Sequence, residues 1–169
     1  YRDPGLVVDK IVDIVSKNGN MLLNIPIKAD GTLDQQSIDI LETVGAWFDT
    51  NGEAIYGTRP WYRFGEGHGE IGAHDLESAL TFKDIRYTTK GENLYAFVMQ
   101  WPRAKKKPVT LENLTAMNAR TKDVVSVELL GYDGELNWTN NPDGLQIMFP
   151  LQKPDTCKYA HALKIGFEK

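Results

Sequence analysis

The residues best suited to chemistry lie in one glycine-rich segment, FGEGHGEIGAH, at positions 64–74. It contains two glutamates and two histidines that could bind a metal ion: Glu66, His68, Glu70 and His74. Glu66 and Glu70 could instead act as an acid and a base. A metal site needs ligands that are held by packing, and a catalytic carboxylate pair needs a fixed separation, about 5 Å in one class of enzyme. Because the interleaved glycines make the segment flexible, we predict a surface or cleft-covering loop and no metal site.

Aromatic residues and a histidine farther along the chain are the next candidates for binding. Trp101 and Trp138 could each stack on the apolar face of a sugar ring. Trp101, however, continues an alternating pattern that starts at Tyr95, which favours packing in or beside a core. Trp138 lies beside a turn and is the better candidate for exposure. His161, between two alanines, is predicted to be a packed or surface histidine rather than a ligand.

Composition and charge exclude several classes of partner. The 169 residues carry a formal net charge of −4, which leaves no basic face for nucleic acid or an anionic membrane. The basic run at 105–107 stops at a proline and is interpreted as a solvated turn. Cys157 is the only cysteine, so neither an intrachain disulfide nor a thiolate zinc site can form, and we predict a small buried residue there. No apolar run approaches the length of a membrane span, and no motif indicates a cofactor.

The first part of the chain, residues 1–51, predicts a helix, a buried strand and a second helix. Val7, Ile11, Ile14 and Val15 mark one face of the first helix, and a stripe from Ile38 to Phe48 marks the second. Between them MLLNIP, at 21–26, has the continuous apolar character of a parallel strand that is covered on both faces. A single parallel strand needs neighbours, so we predict that residues 1–51 are the end of a larger α/β domain. Because the chain opens at Tyr1 without methionine, we expect a longer protein with any targeting segment upstream.

Residues 52–81 are predicted to be a joint followed by the glycine-rich loop. The stretch NGEAIYGTRPW, at 51–61, is too apolar for an ordinary linker. We expect Gly52 to end the second helix in a left-handed cap. Arg59 could pair with a carboxylate across the joint. Pro60 should stiffen the crossing. The aromatic and aliphatic side chains of this stretch should be buried against the flanking domains; they are Ile55, Tyr56 and Trp61.

Residues 82–169 alternate with a period of two and predict an antiparallel β-sandwich. Seven strand-like runs that are separated by turn-forming residues fit such a fold. We expect them at 82–89 and 94–101, and near 108–115, 124–131, 135–139, 144–150 and 159–168.

Several motifs resemble the α-L-fucosidases of glycoside hydrolase family 29. They are VDIVSKNGNMLLNIPIKADGTL at 12–33, the stretch at 51–61, RYTTKGENLYAFVMQWP at 86–102 and LLGYDGELNW at 129–138. The order and spacing match over nearly the whole chain. Many relatives read NIGP where this chain has Asn24, Ile25, Pro26 and Ile27, so no substrate contact is carried over from the wider family at this loop.

The resemblance implies the last helix–strand–helix of a (β/α)8-like barrel followed by an antiparallel β-sandwich. It also implies a retaining exo-glycosidase that acts on α-L-fucosides, with an upstream catalytic barrel and a fucosylated glycan as partners. Both catalytic carboxylates lie upstream in that family, so this chain is expected to hold no catalytic residue and to be inactive alone. A periplasmic, secreted or lysosomal compartment is suggested by the resemblance only. The alternative is a non-catalytic carbohydrate-binding or interaction module.

Three side chains are candidates for proximity to substrate if the resemblance holds. Active sites of (β/α)8 barrels lie at the carboxyl ends of the strands, and Asn24 ends the predicted strand. Its amide could orient a carboxylate or meet a sugar hydroxyl, or it could cap the strand end or the following turn. Glu66 or His68 could reach the same rim as the tip of the glycine-rich loop.

Overall fold

The computed structural model describes residues 1–67, 80–102, 107–115 and 123–168 of the chain. Two helices come first, α1 (Pro4–Ser16) and α2 (Gln35–Asn51), and a 3₁₀ turn (Gly52–Ala54) follows them. The described strands are β1 (Arg59–Glu66), β2 (Ile85–Lys90), β3 (Asn93–Val98), β4 (Val109–Leu111), β5 (Val124–Leu129), β6 (Asn137–Asn141), β7 (Gly144–Met148) and β8 (His161–Phe167). None of the helices in the described ranges is long and apolar enough to cross a lipid bilayer.

The strands form two antiparallel sheets, which confirms the predicted sandwich. One sheet has the order β1-β2-β3-β8-β5 and the other β4-β7-β6. Strands β2 to β8 correspond to the seven predicted runs. Strand β1 lies within the stretch that was assigned to the joint, and it pairs with β2 through Arg59 and Thr89 at one end and Glu66 and Ile85 at the other. Pro60 is tolerated because β1 is an edge strand, where a missing backbone donor costs no ladder bond on the open side.

The five-stranded sheet is covered on both faces, and strand β3 shows how. Leu94, Ala96 and Val98 belong to the core between the two sheets. Tyr95 and Phe97 alternate with them and pack in a second core against α1 and α2. The protein therefore has three layers: helices, the five-stranded sheet and the three-stranded sheet.

Helix α1 begins with a capped first turn and buries a different face from the predicted one. The Asp3 carboxylate accepts a 2.7 Å hydrogen bond from the Gly5 amide, and Pro4 opens the first turn. Val8 and Val12 are fully buried, and two aspartates lie on the same side. Most of the predicted face is only half-buried: Ile11, Ile14 and Val15. The prediction missed this face because the pattern counts aspartate as polar.

Helix α2 ends differently from the prediction. Asp34 caps its start by accepting from the Ser37 amide at 2.8 Å. At the other end Gly52 has φ −61°, in the right-handed region, so the predicted left-handed cap is wrong. The chain continues as a 3₁₀ turn because Ile55 and Tyr56 both donate their amides to the Gly52 carbonyl. The left-handed glycine of this stretch is Gly57, with φ 72°.

Residues 21–26 form no strand within this structure, which corrects that part of the helix–strand–helix prediction. The segment is extended and pairs with no described strand. Leu22 is 95% exposed and Leu23 40% exposed, so neither is covered on both faces. A strand exists only through hydrogen bonds to a neighbour, and the described residues offer none here.

Candidate functional site

A groove of about 730 Å³ lies between the two helices and the extended segment that joins them. Its apolar lining includes Leu6, Ile14, Leu22, Leu23 and Ile40. Asn24 is part of the same lining, and its side chain is exposed. The groove therefore combines an uncovered apolar wall with the exposed amides of Asn20 and Asn24, which can both donate and accept hydrogen bonds.

A hydrogen bond connects Tyr1, which lines this groove, to the start of α2. The Tyr1 hydroxyl donates to the Asp34 carboxylate, and Asp34 also caps α2. These hydrogen bonds stabilise the carboxylate and lower the Asp34 pKa, and the Asp34 contact raises the pKa of Tyr1. Both groups are exposed, so the contact positions the first residue without burying charge.

On the opposite side of α1, a buried ion pair connects the helix to the sheet. Arg86 of β2 donates from Nε to Asp13 Oδ1 at 2.6 Å, and both side chains are almost fully buried. Lys17 reaches the other oxygen of Asp13 at 2.8 Å from a more exposed position. The Phe64 ring lies under both cations, 5.0 Å from Lys17 Nζ and 5.7 Å from the Arg86 guanidinium carbon.

Asp9, one turn earlier on α1, is buried beside this ion pair with one oxygen unsatisfied. Its Oδ1 has no hydrogen-bond partner among the described residues. Burial raises the pKa of Asp9 to about 7; the negative charge of Asp3 adds to the rise and the positive charge of Arg86 opposes it. Arg86 is hydrogen-bonded to Asp13, and its charge offsets only part of the effect of burial on Asp9.

Polar contacts to main-chain carbonyls attach the rest of the helical layer. Trp47 of α2 donates from its indole nitrogen to the Ala160 carbonyl at 2.9 Å. Thr88 donates to the Ala54 carbonyl at 2.7 Å, and Lys90 donates to the Tyr56 carbonyl at 2.8 Å. Among the described residues an exposed ion pair links Lys164 to Glu53 at 3.2 Å. These contacts fix the helices and the 3₁₀ turn on the outer face of the sheet.

The apolar residues of the joint are buried to different degrees. Ile55 is half-buried against the helical core, and Trp61 packs on the sandwich core with its ring 4.9 Å from that of Tyr87. Tyr56 stays exposed and stacks on Phe48. Arg59 donates to the neighbouring Thr58 carbonyl at 3.0 Å, and no carboxylate pairs with it in the described part of the chain. Its pairing across the joint stays a prediction.

Glu66 lies at the end of β1 and connects the two sheets. Its Oε1 accepts from the Tyr87 hydroxyl at 2.7 Å and from the Glu112 amide at 3.0 Å, and its Oε2 accepts from the Asn113 amide at 2.8 Å. Burial raises the pKa of Glu66, and the three hydrogen bonds oppose that rise. Glu66 does not line the groove that contains Asn24. Its proximity to substrate stays a prediction.

The other candidate residues have separate positions. His68, Glu70 and His74 lie outside the described residues. His161 is buried, its ring is 5.1 Å from that of Trp101, and burial lowers its pKa to about 3.

Two further residues were singled out by the sequence. Cys157 is buried, as predicted. Trp138 is half-buried against the sandwich core, so its predicted exposure is only partial. No group of three His, Cys, Asp or Glu side chains in the described ranges could hold a metal ion.

Sequence reasoning missed the Asp13–Arg86 pair, although a signal for it was present. Arg86 follows an apolar residue in an alternating strand, at a position that points to the helices. Asp13 lies on a helix that is otherwise rich in valine and isoleucine. A charged residue of each sign on facing apolar surfaces indicates a buried pair.

Comparisons with known proteins give two family matches. The family described as "Alpha-L-fucosidase C-terminal domain" matches residues 79–166, and the family described as "Alpha-L-fucosidase" matches residues 1–53. The tissue α-L-fucosidase of Rattus norvegicus is 32% identical over 168 residues, which are 99% of this chain and 32% of the relative. The human tissue α-L-fucosidase is 30% identical over 164 residues, 94% of this chain and 30% of the relative. The chain thus spans about a third of the length of these relatives.

Solved structures agree with these matches. The α-L-fucosidase isoenzyme 1 from Paenibacillus thiaminolyticus has a TM-score of 0.73 and 31% identity, with 100% of this chain and 35% of that chain covered. The Thermotoga maritima α-fucosidase in complex with a mechanism-based inhibitor has a TM-score of 0.74 and 26% identity, with coverage of 98% and 34%. The likeness confirms the fold class, the end of a barrel followed by a β-sandwich.

Proposed function

The chain belongs to the α-L-fucosidase family, and from this premise we propose that the protein carrying it is a retaining exo-glycosidase that removes α-L-fucose from glycans. In this proposal the chain is the C-terminal part of the enzyme, and the catalytic barrel that precedes it is its partner. The observation that carries the proposal is the pair of family matches, which together extend over both the helical part and the sandwich.

The groove beside Asn24 supports the assignment of α1 and α2 to the end of a barrel. Leu22 and Leu23 expose apolar surface, and burying one leucine side chain contributes about 1.5–3 kcal/mol. The extended segment also leaves its backbone donors and acceptors without a strand partner in the described residues. A neighbouring barrel strand would satisfy both requirements, because parallel strands are covered on both faces.

The chain's own contribution to catalysis is proposed to be structural, with one exception. Retention requires a nucleophile and an acid/base residue about 5 Å apart. Asp13 is held by Arg86, and Glu66 is held by three hydrogen bonds, so both carboxylates already serve the packing of the fold. The exception is Asn24, whose exposed amide we propose meets the substrate or orients a catalytic carboxylate at the barrel rim.

A carbohydrate-binding module is the second candidate, and one observation favours it. Tyr62 and Phe64 are both exposed and lie two residues apart on β1, so this edge strand presents two aromatic side chains to solvent. Phe64, however, lies under the Lys17 and Arg86 cations, which reduces the ring surface left for a sugar. The enzyme proposal is therefore preferred.

The proposal is tested with an aryl α-L-fucoside and two proteins, the full-length protein and the isolated 169-residue chain. We expect the full-length protein to release fucose, with the initial product in the α configuration when followed by NMR. We expect the isolated chain to show no turnover above background. Turnover by the isolated chain that disappears in Glu66→Gln would instead place the chemistry at Glu66, the last residue of β1.

A further inference from the structure

The two edges of the five-stranded sheet differ in how well they are protected. Exposed sheet edges offer unpaired backbone groups to other chains, and proteins usually block them with proline, bulges or charge. Strand β1, at one edge, contains Pro60 and a register shift between Pro60 and Gly65. Strand β5, at the other edge, has the sequence VVSVEL and contains no proline, and its own register shift lies between Val124 and Ser126. From Ser126 to Leu129 its pairing with β8 is regular, so among the described strands this part of β5 is a regular sheet edge without proline.

The backbone of β5 shows which groups point outward. The Leu130 amide donates to the Ala162 carbonyl of β8 at 2.9 Å. In an antiparallel pair alternate residues point their N–H and C=O groups to opposite sides, so those of Val127 and the N–H of Leu129 point away from β8. The Leu129 carbonyl accepts from Tyr132 in the following turn. An added strand would have three backbone groups to bind.

A groove of about 580 Å³ runs along this edge, between β5 and the segment that leads into β6. Tyr132 and Trp138 form part of its wall and are half-buried against the sandwich core. Three exposed carboxylates also line it: Glu128, Asp133 and Glu135. No lysine or arginine is among the described residues that line the groove, so the charged side chains of the lining are acidic. The nearest described cation is that of Lys164, which lies opposite Glu128 on β8 and is paired with Glu53.

We propose that this edge groove binds an extended, lysine- or arginine-rich peptide segment of a partner protein, which adds to the sheet as a sixth strand beside β5. Main-chain hydrogen bonds give such strand addition its affinity, and alternate side chains give it specificity. Side chains of the ligand on the side of Glu128 should be basic, and those on the side of Val127 should be apolar. The acidic lining makes association with basic segments faster and more selective.

The same charges argue against two other occupants. Pairing of β5 with a second copy of itself would bring two acidic edges together, and like charges across a strand pair are destabilising. A sugar would need an open aromatic face, whereas Trp138 and Tyr132 are partly covered by the core. Both occupants remain outcomes that the experiment distinguishes.

The test measures binding of the full-length protein to a fluorescent heptapeptide of alternating valine and lysine by fluorescence anisotropy. A second peptide of the same sequence carries N-methyl groups on alternate residues, which removes the backbone donors and keeps the charge. We expect N-methylation to weaken binding about tenfold or more, because strand addition depends on main-chain hydrogen bonds. Hydrogen exchange should show new protection of the Val127 and Leu129 amides on binding of the first peptide.

Protein variants separate the groove from general surface charge. The double variant Glu128→Gln with Glu135→Gln should weaken binding about fivefold to tenfold, since both side chains are exposed and their contributions are modest. Glu92→Gln, in the exposed turn between β2 and β3, removes the same charge elsewhere and should leave binding unchanged.

Three results would overturn the proposal. Equal binding of both peptides would mean attraction by charge alone. No binding up to about 1 mM would mean that the carboxylates only protect the edge from aggregation. Protection of the same two amides by neutral oligosaccharides, or on self-association without peptide, would assign the groove to one of the other occupants.

Discussion

The two faces of the five-stranded sheet are covered by different chemistry. Between the sheets the core is mostly apolar, for example Leu94, Leu145 and Leu163, and Glu66 adds a polar link at the end of β1. On the helical side the apolar core is accompanied by the buried Asp13–Arg86 pair and by Trp47 bound to the Ala160 carbonyl. Apolar contacts are non-directional, whereas hydrogen bonds and ion pairs fix one orientation.

This difference indicates what each layer has to achieve. The sandwich closes on itself, so burial of apolar area contributes most of the stabilisation between its two sheets. The helical layer has one face on the sheet and another face on the open groove beside Leu22. We infer that its directional contacts hold α1 and α2 in a fixed orientation, so that the uncovered face is presented correctly to the rest of a barrel.

The largest effect is expected from breaking the buried ion pair. Arg86→Met should lower the free energy of unfolding by about 3 kcal/mol or more, because it leaves Asp13 buried with only Lys17 as a cation. Urea unfolding followed by tryptophan fluorescence measures the loss. Lys17→Met is the matched control and should cost less than about 1 kcal/mol, since the Lys17 side chain is 39% exposed.

A second variant sharpens this test. Asp13→Leu combined with Arg86→Met replaces the pair with apolar side chains and should recover most of the lost stability. If the double variant is as unstable as Arg86→Met, the attraction between Asp13 and Arg86 exceeds the cost of burying their two charges, and the pair adds net stability. The ion pair would then be a main source of stability for the contact between the helices and the sheet, in addition to fixing the orientation of the helices.

Asp9 makes the helical layer sensitive to pH. Its pKa is raised from 3.8 to about 7, so the stability that its protonated form provides is present below about pH 4 and is lost as the pH rises to about 7. The rise corresponds to at most about 4 kcal/mol. Asp9→Asn should therefore be more stable than the original protein at pH 8 and similar at pH 4. Asp49→Asn, at an exposed position of α2, is the control and should change neither value.

The measurement is the difference in unfolding free energy between the original protein and Asp9→Asn at a series of pH values. A difference that grows with pH and levels off near pH 7 to 8 agrees with the burial of Asp9. A difference that is the same at every pH would mean that Asp9 is ionised with its ordinary pKa. In that case the helical face of the sheet would carry less energetic cost from buried charge than the burial of Asp9 indicates.

The sandwich could be predicted from the sequence more completely than the helical layer. Strands β2 and β3 are joined by a short turn, and their alternating pattern is local, so the pattern alone predicts them. Strand β1 was missed because proline and glycine interrupt it and its partner begins about twenty residues later. Asp13 is buried because it pairs with Arg86, which lies 73 positions away in the sequence. The pattern of residues within α1 cannot predict such a distant contact.

The candidate site shows the same division. Asn24 was selected because the resemblance places a strand end there, and in the structure it lines the open groove. Glu66 was selected as a loop residue, yet it bonds to amides 46 and 47 positions along the chain. Local composition could not distinguish a flexible tip from the last residue of a strand.

A smaller effect is expected from Asn24→Ala in the full-length protein. The variant should lower kcat/KM for an aryl fucoside about tenfold, equivalent to about 1.4 kcal/mol, if the amide contacts the transition state. The melting temperature should not change, because Asn24 is exposed. Unchanged kinetics with a lowered melting temperature would assign Asn24 to the structure of the rim. Asn20→Ala, another exposed amide that lines the groove, is the control.

The smallest effect is expected from the exposed ion pair on the helical side of the sheet. Lys164 Nζ lies 3.2 Å from Glu53 Oε1, with 30% and 42% of the two side chains exposed. Such pairs contribute about 0–1 kcal/mol, and salt screens them. Lys164→Met keeps the aliphatic stem and should cost less than about 1 kcal/mol, and a double-mutant cycle with Glu53→Gln isolates the pair. If the coupling energy of Lys164 with Glu53 were similar to that of Asp13 with Arg86, burial would not explain which ion pairs contribute strongly to stability. The orientation of the helices would then depend on charge at the edge of the layer as much as on charge within it.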